Sequence, residues 1–89
     1  MQEHHLVIVA GPGPRVPARV SVLLMPLDTE IVDIRFSRHP DTRLWWIRLA
    51  VRFPSSAQID LLIERLKRLV DVHQVFATDA GSDVQHKPE

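Results

Sequence analysis

Cysteine and net charge are both missing from this chain, and each absence excludes a class of function. Without cysteine there is no disulfide framework, no thiolate metal site and no cysteine nucleophile. Eleven Lys and Arg balance eleven Asp and Glu, so the positive field that holds a polyanion is absent and we expect no nucleic-acid partner. The longest apolar run near the start, residues 6–10, is far shorter than a membrane span of about 20 residues or a signal peptide. We therefore expect a cytoplasmic protein without membrane contact.

The length and composition are those of one small globular domain. The chain has 89 residues, of which 45% are apolar and 25% charged, and a second core could not be filled from so few. We expect one folded domain over residues 1–79. The polar segment 80–89 is predicted to be a disordered tail.

The first half of the chain predicts a strand, a helix and a second strand. Residues 5–10 are β-branched and apolar on both faces, which is typical of a central strand, and a Gly-Pro-Gly-Pro turn follows. Apolar residues at helical spacing then predict a helix over residues 17–25, which Pro26 ends. Residues 30–38 alternate, with Val32, Ile34 and Phe36 predicted to share one face of a half-buried strand.

The second half predicts a hairpin partner, a helix and a last strand. Residues 44–53 alternate again after turn residues at 39–42. Ser55 and Gln58 have the spacing of a capping box, which predicts the start of the second helix. Its apolar stripe is predicted to be Ile59, Leu62, Ile63, Leu66, Leu69 and Val70. Residues 72–77 are predicted to form the fourth strand.

The resulting order, β-α-β-β-α-β, predicts an α+β ferredoxin-like sandwich. In that fold two helices cover one face of a four-stranded antiparallel sheet. Such a fold hosts sensors, RNA binders, metal chaperones and enzymes, so function has to be argued from particular residues.

The chemistry-bearing residues give little support for catalysis or metal binding. A phosphate loop works through backbone N–H donors, which Pro12 and Pro14 lack. The five histidines are adjacent or scattered, so we expect no metal site. No serine and histidine fall at a spacing that suggests a triad, and we expect no catalytic residue on this chain.

The uncovered face of the sheet is the strongest candidate for function. Alternation places Trp45 under the helices and Trp46 on the open face, with Arg48 and Arg52 beside it. Exposed apolar area of this kind usually meets a partner; the residues expected to contribute are Val7, Val9 and Trp46, with Val72 and Phe76 as further candidates. Base stacking on Trp46 is an alternative that the zero net charge disfavours. The strand over residues 30–38 is expected to lie at a sheet edge, where unpaired amides can extend the sheet into a second copy.

Four segments of the sequence share the pattern of a known family: Ala18-Arg19-Val20, residues 30–34, residues 60–62 and Lys67-Arg68-Leu69-Val70-Asp71-Val72. They resemble the ACT domain, and in particular the short small subunit of acetohydroxyacid synthase (acetolactate synthase) of the isozyme II type. The resemblance implies a non-catalytic regulatory chain that forms a homodimer and docks on a catalytic large subunit. Thiamine diphosphate, FAD and Mg are then expected on that partner, with no cofactor on this chain. Residues implied at the contacts are Val7, Val9, Arg19, Arg35, Trp46, Arg48 and Arg52.

The resemblance also implies a site for a small amino-acid effector between paired domains. The corresponding residues here are Gly13, Pro14, Arg15, Val16, Glu30 and Ile31. This chain departs from the family pattern, because Arg15 replaces a glycine and Glu30 replaces an asparagine. A Glu30 carboxylate would repel an effector carboxylate unless Arg15 screened it, so we expect weak or no valine binding. The alternative is a free-standing sensor of another amino acid or small metabolite at the same crevice.

Overall fold

Six elements in the predicted order make up the protein, as shown by a computed structural model that describes residues 2–24, 30–54 and 56–78. They are β1 (Gln2–Ala10), α1 (Val16–Leu24), β2 (Glu30–Arg38), β3 (Trp45–Phe53), α2 (Ser56–Lys67) and β4 (Val72–Thr78). Each predicted element is confirmed, and β2 has the predicted bounds. The cap residue Ser55, the predicted end of the first helix at residue 25 and the tail 80–89 lie outside the described residues.

The four strands form one antiparallel sheet in the order β2-β3-β1-β4. β1 pairs with β3 on one side and with β4 on the other, which confirms the central position predicted from its two apolar faces. Among the strands of the described ranges, β2 pairs with β3 alone and lies at one edge of the sheet, as expected, and β4 lies at the other. The predicted ferredoxin-like fold is therefore the observed one.

The main core lies between the helices and one face of the sheet. The helices contribute Val16, Val20 and Leu24 from α1 and Ile59, Leu62 and Leu66 from α2; the strands contribute Leu6, Ile8, Ala10, Ile47, Leu49, Val51 and Phe53. The i, i+3, i+4 spacing on each helix and the alternation along β1 and β3 bring these residues to one layer. No helix among the described residues is long and apolar enough to span a membrane.

The predicted apolar stripe of α2 extends too far along the chain. The helix ends at Lys67, and the following residues form the tighter bonds Arg68 N–H to Arg65 carbonyl (3.2 Å) and Leu69 N–H to Leu66 carbonyl (3.1 Å). This last turn still packs Leu69 against the core, but it leaves Val70 87% exposed. The prediction that Val70 faces the sheet is wrong, because the chain has already left the helical period and turned towards β4.

A bulge in β2 changes the predicted alternation at its start. The register with β3 shifts between Ile31 and Asp33, so Ile31 lies opposite Val51 and Asp33 lies opposite Ala50. Val32 is the extra residue, and it lines the open side of the sheet together with Asp33. The prediction that Val32 shares a face with Ile34 and Phe36 is wrong for this physical reason.

Two expectations about the open face also fail. Val7 and Val9 lie on that face in the central strand, yet each is only 6% exposed, because side chains on β3 and β4 flank them. Val72 is opposite Ala10 and packs against the helix-covered core, so it is not on the open face at all. Trp46 and Phe76 are exposed there, as predicted.

Candidate functional site

The open face is organised in rows that run across the strands. One row contains Asp33, Ala50, His5 and Thr78, and the next contains Arg35, Arg48, Val7 and Phe76. A further row contains Ser37, Trp46, Val9 and Gln74. Apolar side chains therefore gather towards one end of this face, and charged side chains gather towards the other.

The two adjacent tryptophans have different surroundings, as the alternation predicts. Trp45 is half-buried on the helix side, where its indole N–H donates to the Gly13 carbonyl at 2.9 Å. Trp46 is exposed on the open face beside Val9. An exposed tryptophan next to a buried apolar floor and an arginine has the composition of a protein contact point.

The candidate interface arginines differ in their partners. Arg19 pairs with Asp71 at 2.8 Å, and Arg35 pairs with Asp33 at 3.0 Å. Arg52 lies 3.6 Å from Glu3 and 3.7 Å from Glu30. Arg48 has no ion-pair partner within residues 2–24, 30–54 and 56–78. Its charge is therefore available to a group from outside this part of the chain.

The loop between β1 and α1 is held by bonds to its backbone. Gly11 N–H donates to the Asp71 carbonyl at 2.8 Å, and the Pro12 carbonyl accepts from Arg38 Nη1 at 3.1 Å. Arg38 also lies 4.3 Å from the ring centre of Trp45, a cation–π distance. The loop uses its Gly11 N–H and presents carbonyl oxygens inward, an arrangement unlike a phosphate cradle.

The candidate effector residues fall at opposite ends of the sheet within one chain. The loop with Gly13, Pro14, Arg15 and Val16 follows Ala10, which lies opposite Trp45, whereas Glu30 lies opposite Arg52 at the far end of β3. The Glu30 carboxylate is accordingly 3.7 Å from Arg52. Screening of Glu30 by Arg15, the condition under which an effector carboxylate would not be repelled, does not occur within a chain; the cation beside Glu30 is Arg52.

An apolar groove on α1 begins at one of these residues. It has a volume of about 410 Å³ and is lined by Arg15, Ala18, Arg19, Val22, Leu23 and Leu69. Four of the lining residues were not predicted to belong to a site: Ala18, Val22, Leu23 and Leu69. The position of Val22 could have indicated an exposed apolar surface on α1, because Val22 is an apolar residue outside the buried stripe of the helix.

The acidic and histidine side chains of the described ranges do not gather into a metal-binding group. No group of three or more His, Cys, Asp or Glu side chains lies close enough there to hold a metal ion. His5 is paired with Glu3 at 2.9 Å. The chemistry that the structure does present is ion pairing, apolar contact and an open sheet edge.

Comparisons with known proteins identify the fold. No family model and no curated protein matches the sequence. The ACT domain of GTP pyrophosphokinase from Chlorobium tepidum aligns with a TM-score of 0.75 and 16% identity, over 85% of this chain and 96% of that one. The small subunit of acetolactate synthase from Thermotoga maritima aligns with a TM-score of 0.79 and 20% identity, over 89% of this chain. This chain spans about half (48%) of that subunit's length.

The same fold also occurs in a protein of another kind. The C-terminal domain of MgtC from Mycobacterium tuberculosis aligns with a TM-score of 0.68 and 14% identity, over 88% of this chain and 86% of that one. At these identities the likeness establishes the ferredoxin-like fold of ACT domains, and a function has to rest on the surfaces described above.

Proposed function

We propose that this chain is a non-catalytic regulatory ACT domain that pairs with a second copy and activates the large subunit of acetohydroxyacid synthase. The likeness in fold to the acetolactate synthase small subunit supports the choice of partner. Thiamine diphosphate, FAD and Mg would then belong to the large subunit. This chain would act by binding to it.

The observation that carries the proposal is the unpartnered edge at β2. Ile31, Val32 and Phe36 on this strand are all exposed, although they are large and apolar. Val22 on α1, the helix that leads into β2, is exposed as well. An edge strand with apolar side chains and unpaired amides is a template for another strand, and a second copy of β2 satisfies both features.

Pairing through β2 would also bring together the candidate effector residues, which lie at opposite ends of the sheet within one chain. In an antiparallel pair the start of one β2 lies beside the end of the other. Arg38 at the end of β2 contacts the loop that contains Gly13, so Glu30 and Ile31 of one copy approach the loop of its partner. The crevice between copies, bordered also by Pro14, Arg15 and Val16, is the proposed place for a small amino-acid effector.

The open face supplies the proposed docking surface for the catalytic partner. Trp46 and Phe76 are its exposed aromatic side chains, Val7 and Val9 form its floor, and Arg48 offers a charge without an ion-pair partner among the described residues. Arg35 and Arg52 border this surface with their carboxylate partners. Arg19 is held by Asp71 on the helix side, and it is proposed to contribute to pairing instead.

The test is reconstitution with the large subunit of acetohydroxyacid synthase from the same organism. We expect co-elution of the two purified chains and a several-fold rise in the rate of acetolactate formation. Trp46→Ala should lower both effects, and Leu61→Ala on the exposed side of α2 is the matched control. An unchanged rate with no co-elution would reject the partner.

A free-standing sensor of another amino acid or small metabolite, bound at the same crevice between copies, is the second candidate. The apolar groove on α1 favours it, because the groove begins at Arg15, one of the residues proposed to border that crevice. Under this alternative a small metabolite raises the melting temperature of the isolated chain with the logarithm of its concentration. A thermal-shift series over amino acids and related acids, carried out without any partner protein, distinguishes the two candidates.

A further inference from the structure

A hollow on the open face lies away from the candidate effector residues. Its volume is about 330 Å³, at the lower end of the roughly 300–1,000 Å³ range of small-molecule sites. The lining includes Glu3, His5 and Val7 from β1, Asp33 and Arg35 from β2, and Arg48 from β3. None of Gly13, Pro14, Arg15, Val16, Glu30 and Ile31 lines it.

The hollow exists because a small residue occupies the middle of the sheet. Ala50 lies between Asp33 on β2 and His5 on β1, and its side chain is a single methyl group. The β2 bulge places Val32 on the same wall as Asp33. Bulges commonly re-aim side chains next to binding sites, and this bulge gives the hollow an apolar wall next to an acidic one.

The charges around the hollow leave one cation without an ion-pair partner. Asp33 binds Arg35 at 3.0 Å, and Glu3 binds His5 at 2.9 Å. Arg48 lies directly opposite Arg35 in the register and has no ion-pair partner among the described residues. Like charges opposite each other on a sheet are unfavourable, so an anion at this point would stabilise both guanidinium groups.

We propose that the hollow above Ala50 binds a small aliphatic monocarboxylate. Its carboxylate accepts hydrogen bonds from the Arg48 guanidinium, a geometry that arginine supports with two parallel N–H donors. Its short hydrocarbon chain lies against Ala50, Val7 and Val32. A single negative charge matches the guanidinium of Arg48, and the nearby carboxylates of Glu3 and Asp33 disfavour a second negative charge.

This proposal does not depend on the regulatory function or on a catalytic partner. It concerns the isolated chain, and its ligand contacts the open face of one copy. If reconstitution with a large subunit fails, the hollow is unaffected; if the hollow binds no acid, pairing through β2 is unaffected.

The experiment is a nuclear magnetic resonance titration of the isotope-labelled chain with butyrate at constant ionic strength. We expect saturable shifts at Ala50, His5 and Val7 with a dissociation constant in the millimolar range, well short of the ceiling for a ligand of this size. Butyramide has the same shape without the charge, and it should produce no saturable shift. Arg48→Gln should weaken butyrate binding about tenfold, the loss of one charge-assisted contact.

Two further variants complete the test. Ala50→Leu fills the hollow and should abolish binding, with a dispersed spectrum as the check that the variant folds. Arg65→Gln, a charge removed from α2, should leave binding unchanged. Equal responses to butyrate and butyramide, full affinity in Arg48→Gln, or no saturable shift in the wild-type chain would each overturn the proposal.

Discussion

The indole N–H of Trp45 donates a 2.9 Å hydrogen bond to the carbonyl of Gly13 and so joins the start of β3 to the loop before α1. The same indole ring lies 4.3 Å from the guanidinium carbon of Arg38 at the end of β2. The loop that leads into α1 is therefore held from two strands. Its position depends on contacts far apart in the sequence.

Removing the indole donor of Trp45 should destabilise the fold. Trp45→Phe retains a ring at this position and loses the bond to Gly13, and we expect the free energy of unfolding to fall by about 1–2 kcal/mol. Trp46→Phe is the matched control, since that side chain is exposed, and it should change the value by less than about 0.5 kcal/mol. Urea denaturation measures both, and equal effects would contradict the role of the bond.

The alternation of β3 made Trp45 and Trp46 predictable, because a strand paired on both sides keeps a strict period of two residues. The edge strand β2 departs from this period at Val32. It is paired on one side only and can therefore accommodate a bulge, and a bulge leaves no pattern in the hydropathy of the sequence. The hollow above Ala50 follows from that bulge. It could not be predicted from the sequence because it depends on register across three strands.

Val70 shows that an apolar pattern at helical spacing can continue beyond the end of the helix. Its spacing continues the stripe of α2, but the helix ends at Lys67 and the chain turns. The bond from Val72 N–H to the Leu69 carbonyl, 3.0 Å, closes that turn. An apolar residue within two positions of a helix end can therefore satisfy the pattern without joining the core. The fold was predictable from the remaining residues of the stripe, and the end of the helix was not.

Adjacent leucines on α2 give a direct measure of the buried face. Leu62 is fully buried (0% exposed), whereas Leu61 is 48% exposed. Leu62→Ala should lower the free energy of unfolding by about 2–5 kcal/mol, a large fraction of the roughly 5–15 kcal/mol typical of a domain. Leu61→Ala should cost less than about 1 kcal/mol. Thermal and urea unfolding of the two variants, compared side by side, test the orientation of the helix.

Arg43 in the turn between β2 and β3 has a φ of 67°, the left-handed conformation that glycine adopts without strain. Arg43→Gly relieves that strain, which costs an L-residue about 1–2 kcal/mol. Glycine also makes the unfolded chain more flexible, and this offsets part of the gain in stability. We expect a net stabilisation of about 0.5–1 kcal/mol. Asp41→Gly in the same turn, where φ is not positive, should destabilise, so a fall in melting temperature for both variants would refute the argument.

The charge of Glu30 should limit the binding of valine between paired chains. Its carboxylate is shared with Arg52 at 3.7 Å, which screens the repulsion of an effector carboxylate only in part. We expect calorimetry to show weak or no valine binding to the wild-type chain and tighter binding to Glu30→Asn. Glu64→Gln on α2 is the charge control and should behave as the wild type. Tight valine binding that Glu30→Asn leaves unchanged would contradict this prediction.

Pairing through β2 predicts that two equally exposed apolar residues differ in their effect on assembly. Ile31 is 43% exposed at the β2 edge, and Phe76 is 42% exposed on the open face of β4. Ile31→Lys places a charge on the shared edge, where lysine blocks strand pairing, and it should shift a dimer towards monomer by at least tenfold in dissociation constant. Phe76→Lys has the same change of chemistry at the same exposure and should leave the dimer intact. Sedimentation equilibrium of both variants measures this difference, and dissociation by Phe76→Lys alone would contradict pairing through β2 and move the pairing surface to β4, the strand at the other edge of the sheet.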